Sequence, residues 1–178
     1  MQRIDTSKVS PAAYKAVAAL ETYVEQSGLD AKLLHLIKIR ASQINGCAYC
    51  IAMHTRDARK LGESDERMHL LDAWREAPVF SERERAALAW TEALTLIARD
   101  HVPDAVFDQV RKQFSEKEIV DLTAAVCAIN TWNRIAISLI PGIGSPSRSA
   151  RRRRSKASER RPRRRSDATK TSTHARSA

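Results

Sequence analysis

The feature that most constrains the fold is the spacing of apolar residues, which recur at helical intervals through the first 140 residues. No segment in this region alternates apolar and polar residues as a half-buried strand would, and Gly and Pro are sparse. Start and stop signals divide the region into successive helical segments. We therefore expect an all-α protein, a compact bundle of about six or seven helices.

Helix caps are predicted at positions that precede apolar helical segments: Ser10, Asp30, Ser81 and Ser115. The last two are each followed three residues later by Glu, which is the spacing of a capping box. The helix that begins after Asp30 should run to about Ile44, where Asn45 and Gly46 break it. The most apolar helix is predicted over residues 119–139.

Composition changes abruptly after Gly144. Residues 145–178 carry 13 Lys and Arg against 2 Asp and Glu, so all of the basic excess lies there, in a chain of net charge +10. No large apolar residue follows Ile143, and such a segment cannot offset its ordering entropy. We predict a helical domain over residues 1–144 and a disordered Arg/Ser-rich tail over residues 145–178. The tail would either bind nucleic acid non-specifically or be an extension without a selected function.

Two cysteines three residues apart, Cys47 and Cys50, are followed four residues later by His54. On a helix these positions share one face. A thiol near a helix N-terminus and beside a base has a lowered pKa, and a second thiol can close a disulfide on it. The pattern predicts dithiol redox chemistry, in which closeness to His54 favours Cys50 as the more reactive thiol and the field of the helix N-terminus favours Cys47. Cys127 lies in apolar sequence and is predicted to be buried.

The stretch from Leu33 to Cys50, closed by His54, resembles the core of the AhpD-like alkylhydroperoxidases, a branch of the carboxymuconolactone decarboxylase family. The likeness runs from about residue 10 to about residue 140. The family signature is a Glu, eleven residues, Cys-x-x-Cys, three residues and His. By this resemblance Cys50 attacks the peroxide, Cys47 resolves the intermediate, and His54 belongs to a proton relay.

One signature position differs, because His35 stands where the family has its relay Glu. A carboxylate there would hold the tautomer of His54 and favour its protonated form. Two adjacent imidazoles instead disfavour a shared positive charge. His35 is thus either a rebuilt relay residue or, as is commoner for a His in an apolar helix, a core residue with its hydrogen bonds satisfied. Glu92, on an otherwise apolar helix, is predicted to be a surface or interface charge rather than a carboxylate near the thiols.

The resemblance implies a thiol-dependent peroxidase that reduces alkyl hydroperoxides without a metal or an organic cofactor. Its partners would be the hydroperoxide, a lipoyl or thioredoxin-like dithiol protein as reductant, and further copies of the chain in a trimer or hexamer. The apolar faces of the 119–139 helix also favour assembly. No apolar run is long enough to span a membrane, and the first residues lack the apolar core of a signal peptide. A cytoplasmic location is therefore expected.

Three alternatives stay open. The same family includes lactone decarboxylases, although that chemistry does not need a vicinal dithiol. Cys47, Cys50, His54 and His35 would also supply the two sulfur and two nitrogen ligands of a zinc site. A non-enzymatic redox sensor would use the dithiol alone, or act together with the basic tail.

Overall fold

A computed structural model describes residues 3–140 of the chain. The predicted tail, and the boundary predicted at residue 144, lie outside the described residues. The division into two parts therefore stays a prediction.

Residues 3–140 form nine α-helices and one 3₁₀ turn, and no strand occurs among them, which confirms the all-α prediction. Seven helices correspond to predicted segments, and the four-residue helices α1 and α7 are additional. The helices are α1 (Thr6–Val9), α2 (Pro11–Glu25), α3 (Ala31–Asn45), α4 (Ala48–Lys60), α5 (Asp65–Leu70), α6 (Glu82–Thr95), α7 (Ile97–Asp100), α8 (Asp104–Gln113) and α9 (Glu116–Leu139), with the 3₁₀ turn at Leu71–Ala73.

Side-chain caps start three of the four helices for which the sequence predicted them. The carboxylate of Asp30 accepts the backbone N–H of Leu33 at 2.8 Å. Ser81 and Ser115 each form a complete capping box with the Glu three residues later. The prediction is wrong at Ser10, whose side chain makes no cap hydrogen bond, so α2 begins with Pro11 alone as its start signal.

Helix α3 lies at the centre of the bundle, where it packs against α4, α6 and α9. Its Leu36 and Ile37 are completely buried. Ile37 belongs to an apolar cluster shared with α6 and α9, and Leu36 to a second cluster shared with α4, α6 and the 3₁₀ turn. Because α3 is enclosed by three helices, its C-terminal end is held in a fixed position, and the cysteine pair follows directly after it.

Cys127 is exposed, so the prediction that it is buried is wrong. It lies on an outward stripe of α9 with Val120, whose side chain is also exposed. The sequence did not reveal this stripe because α9 is apolar around most of its circumference. The predicted trimer or hexamer is not tested by a single chain and stays a prediction.

No helix among residues 3–140 combines the length and the apolar character needed to cross a membrane.

The capping box at Ser115 gives a prediction about stability. The Ser115 hydroxyl caps the backbone N–H of Glu118, while the Glu118 carboxylate accepts the N–H of Ser115 at 2.8 Å and pairs with Arg83. Ser115→Ala should lower the free energy of unfolding by about 1 kcal/mol, measured by urea unfolding. Lys112→Ala, at an exposed position of α8, is the matched control and should change it little. Equal effects of the two substitutions would contradict the capping role.

Candidate functional site

The site begins at the corner between α3 and α4. Helix α3 ends at Asn45, and Gly46 takes the left-handed conformation with φ 70°, which a residue without a side chain adopts at no steric cost. The N–H of Cys47 then donates to the carbonyl of Ser42 at 2.9 Å. The sequence analysis placed Cys47 on the helix, but in the structure Cys47 precedes α4 as its N-cap residue. Its sulfur accepts the N–H of Cys50 at 3.4 Å.

The two sulfur atoms of this corner face each other. The Sγ atoms of Cys47 and Cys50 are 2.7 Å apart, and both thiols are free. Both residues are buried, in a small apolar cluster with Ala41, Ile129 and Ala136. The arrangement needs little movement to close a disulfide between the two sulfurs.

A chain of amide and hydroxyl groups fixes the corner to α9. The side chain of Asn45 donates to the amide oxygens of Asn130 and Asn133, each at 2.9 Å. Asn133 is completely buried and donates to the Ser42 hydroxyl at 3.0 Å. Asn133 thus ties the end of α3 to α9, directly beside the cysteine pair.

His35 and His54 face each other across α3 and α4, with ring centroids 5.5 Å apart. His54 is buried one turn after Cys50 on α4. The Nδ1 atoms of both rings are buried and have no hydrogen-bond partner among the described residues. The interpretation of His35 as a core residue with satisfied hydrogen bonds is therefore wrong, and His35 is the direct neighbour of the predicted relay residue.

A buried ion pair adds a positive charge beside the two imidazoles. Lys38, one turn after His35, is 3% exposed and donates to the carboxylate of Glu21 on α2. Burial, followed by the charge of Lys38 and the His35 ring, lowers the pKa of His54 to about 3. Burial and Lys38 lower the pKa of His35 as well. Both imidazoles are therefore neutral at physiological pH.

The thiol of Cys50 is protonated in this state. Burial, together with the hydrogen bond between the two cysteines, raises its pKa to about 12. The prediction of a partly ionised Cys50 thiol at neutral pH is therefore wrong here, because burial outweighs the field of the helix N-terminus and His54 carries no charge. Whether Cys50 reacts faster than Cys47 stays a prediction.

A cavity of about 460 Å³ opens onto Cys50. Its apolar wall consists of side chains from α2, α4 and α9 and the residue that follows α9: Tyr14, Tyr49, Met53, Trp132, Ile135, Ala136 and Ile140. The rings of Tyr14 and Trp132 meet edge to face at 5.4 Å. Neither Cys47 nor His54 is among the lining residues, so Cys50 is the thiol that a ligand in the cavity meets.

The four predicted site residues form two contacts, one between the sulfurs of Cys47 and Cys50 and one between the rings of His35 and His54. Helix α4 connects the two contacts, because it carries both Cys50 and His54. Sequence analysis missed Glu21 and Lys38, which come from separate segments and carry no motif. It also misassigned Glu92, which is half-buried and accepts hydrogen bonds from Arg40 at 2.7 Å and Trp74 at 2.9 Å. Burial raises the pKa of this carboxylate, but its hydrogen bonds outweigh that effect and the net pKa is lowered.

No three His, Cys, Asp or Glu side chains within residues 3–140 are arranged to hold a metal ion. The geometry therefore gives no support to the zinc alternative.

Comparison with known proteins places this geometry in a family. The model of the carboxymuconolactone decarboxylase family matches residues 11–93. YdfG of Bacillus subtilis (strain 168) is 44% identical over 138 residues, which cover 78% of this chain and 94% of YdfG. A crystal structure of ATU0492 from Agrobacterium tumefaciens, a protein of unknown function suggested to be the antioxidant defence protein AhpD, is 49% identical. Its TM-score is 0.78, and the match covers 82% of this chain and 100% of that one.

The chain belongs to the AhpD-like branch of the carboxymuconolactone decarboxylase family. The same fold occurs in the debrominase Bmp8, whose ligand-free structure is 20% identical with a TM-score of 0.71. That match covers 79% of this chain and 75% of Bmp8. At this identity the likeness concerns the fold alone, so AhpD-like architecture does not by itself determine the reaction.

The low pKa of His54 makes stability depend on pH in a definite direction. The unfolded imidazole takes up a proton below about pH 6.5, whereas the folded one stays neutral down to about pH 3. Between these values the unfolded chain binds more protons, so the free energy of unfolding falls as the pH falls. Between pH 7 and pH 5 the free energy of unfolding should therefore fall by about 2 kcal/mol less in His54→Gln than in the wild type.

Urea unfolding of the wild type and His54→Gln at the two pH values measures this difference, since the carboxylates titrate equally in both. His69→Gln, which removes an exposed imidazole, is the control and should keep the wild-type dependence. Identical losses in the wild type and in His54→Gln would contradict the burial of a neutral His54.

The raised pKa of Cys50 predicts its alkylation profile. Below its pKa the thiolate fraction grows about tenfold for each pH unit, so labelling of Cys50 should rise about 100-fold between pH 7 and pH 9. Iodoacetamide labelling followed by peptide mapping separates the three cysteines. The exposed Cys127 reports the activity of the reagent at each pH. A Cys50 rate that reaches its plateau below pH 8 would contradict a raised pKa.

Proposed function

We propose that this protein is a thiol-dependent peroxidase that reduces an alkyl hydroperoxide through a Cys47–Cys50 dithiol–disulfide cycle. The observation that carries the proposal is the pair of free sulfurs 2.7 Å apart, of which Cys50 lies on the wall of a cavity large enough for a small organic hydroperoxide. Membership of the AhpD-like branch supports the same chemistry.

In the first step the sulfur of Cys50 attacks the distal oxygen of the hydroperoxide. The O–O bond breaks, Cys50 becomes a sulfenic acid, and the alkoxide leaves with the proton that the thiol lost. His54 is placed one turn from Cys50 to carry that proton. Because its pKa is about 3, it does not retain the proton and returns it to the leaving oxygen.

In the second step the thiol of Cys47 condenses with the sulfenic acid of Cys50. One water leaves, and the two sulfurs, already in contact, form a disulfide. An external dithiol protein then reduces the disulfide by thiol–disulfide exchange and is itself oxidised to a disulfide. We propose a lipoyl or thioredoxin-like donor, which fits the cytoplasmic location expected from the sequence because such dithiols are kept reduced there.

A lactone decarboxylase is the competing activity within the family. The adjacent sulfurs would be idle in that reaction, and the carboxylates that line the cavity would repel a lactone that carries carboxylates. The debrominase of the same fold shows that other substrates enter this architecture. A direct assay of the thiols therefore decides between the activities.

One equivalent of cumene hydroperoxide should remove two free thiols per chain and form one disulfide between Cys47 and Cys50. Thiol titration and peptide mapping measure both quantities, with the exposed Cys127 as an internal standard that stays reduced. Cys50→Ser should abolish peroxide consumption. The proposal fails if all three thiols of the wild type survive the treatment, or if Cys50→Ser consumes peroxide at the wild-type rate.

His35→Glu should raise peroxidase turnover several-fold. A carboxylate at this position would face His54, raise its pKa above about 3 and stabilise its protonated form during transfer. Steady-state rates and NMR titration of His54 measure the two effects. His35→Gln, similar in size, is the matched control: it removes the imidazole without adding a carboxylate, so it should raise the turnover and the pKa of His54 far less than His35→Glu does. An unchanged or lower rate in a stable His35→Glu protein would show that His35 itself is the working relay residue or that the site is used otherwise.

A further inference from the structure

The cavity that reaches Cys50 combines an aromatic wall with an acidic rim. Four carboxylate residues line it: Asp5, Glu21, Glu25 and Asp57. Within the described part of the chain, no Lys, Arg or His is among the lining residues. A ligand therefore meets apolar and aromatic surface on one side and negative charge on the other.

The counter-charges of these carboxylates lie outside the cavity. Lys8 pairs with Asp5 at 3.5 Å and Lys60 with Asp57 at 2.6 Å, and the lysine side chains are 83% and 68% exposed, so their charges are screened by water. Lys38 is buried behind Glu21 and offsets the charge of that carboxylate, so the negative charge of the rim comes from the other three residues. Glu25 forms no ion pair with any described residue. The face that the cavity presents to a ligand is therefore negative.

Two carboxylates of the rim, Asp5 and Asp57, are ionised at neutral pH, which agrees with a negative cavity face. A hydrogen bond from Ser7 lowers the pKa of Asp5, and a hydrogen bond from Lys60 lowers the pKa of Asp57. Both groups carry their charge at neutral pH and below. Like charges brought together in a partly enclosed space repel one another more strongly than they do in water.

We propose that the cavity selects uncharged or cationic hydroperoxides with an apolar or aromatic body, and excludes those that carry a carboxylate. The inference rests on the proposed peroxidase function and adds the charge class of its substrate. The Tyr14–Trp132 pair supplies the apolar surface that holds such a body, and aromatic rings beside carboxylates also favour cations. A substrate carboxylate would have no cationic partner in the described lining.

The test compares two hydroperoxides that differ by one carboxylate group, cumene hydroperoxide and its para-carboxylate, on the full-length protein. We expect kcat/KM for the neutral compound to exceed that for the anion at least tenfold, after correction for the rates of both compounds with free dithiothreitol. The ratio should shrink as salt is added, because the repulsion is screened.

The variant Glu25→Gln/Asp57→Asn removes two rim charges and should reduce the ratio at least threefold; any effect of these charges on the imidazoles acts on both peroxides and cancels in the ratio. Glu76→Gln, at an exposed position that does not line the cavity, should leave the ratio unchanged. Equal kcat/KM values for the two peroxides, or a preference for the anion, would overturn the inference while leaving the peroxidase proposal intact.

If neither peroxide is consumed, the peroxidase proposal fails, and binding then decides the inference separately. NMR titration with cumyl alcohol and its para-carboxylate, both inert toward thiols, measures affinity without turnover. Tighter binding of the neutral alcohol, weakened by Trp132→Ala, would support the charge selection. Equal or tighter binding of the carboxylate would overturn it.

Discussion

The site depends on how the chain turns from α3 into α4. Gly46 makes the turn in one residue because it adopts a positive φ, and Cys47 then caps α4 with its sulfur. The cap position brings that sulfur over the first turn of the helix, where Cys50 lies, at 2.7 Å. Asn133 holds the corner from α9 through hydrogen bonds with Asn45 and Ser42 at the end of α3. The contact between the sulfurs is therefore a consequence of helix-capping geometry.

Burial determines the electrostatics of this corner. It keeps Cys50 protonated and His54 neutral, and the charge of Lys38 strengthens the effect on the imidazole. Such a site is protected from adventitious oxidation while it is empty, because the thiolate is the species that oxidants attack. Activation then requires that the proton leaves Cys50 as the peroxide binds. His54 releases that proton readily to the leaving group, but its low basicity makes it a weak acceptor of the proton from Cys50, and this limits the first step.

Local signals in the sequence predicted the helical fold correctly. Asp30, Ser81 and Ser115 act through residues three positions away, so each cap is visible in a short window. The opposing His35 and the exposed Cys127 depend on which face of a largely apolar helix turns inward, and that is decided by packing against other helices. The cavity was not predictable for the same reason, because its walls come from distant segments of the chain.

The most direct test of the account asks which sulfur the peroxide oxidises. In Cys47→Ser the resolving thiol is absent, so the sulfenic acid should persist and be trapped by dimedone. The account predicts a dimedone adduct on Cys50 after one equivalent of peroxide, and no adduct on Cys47 in the reciprocal Cys50→Ser variant. An adduct on Cys47 in Cys50→Ser together with none on Cys50 in Cys47→Ser would contradict it.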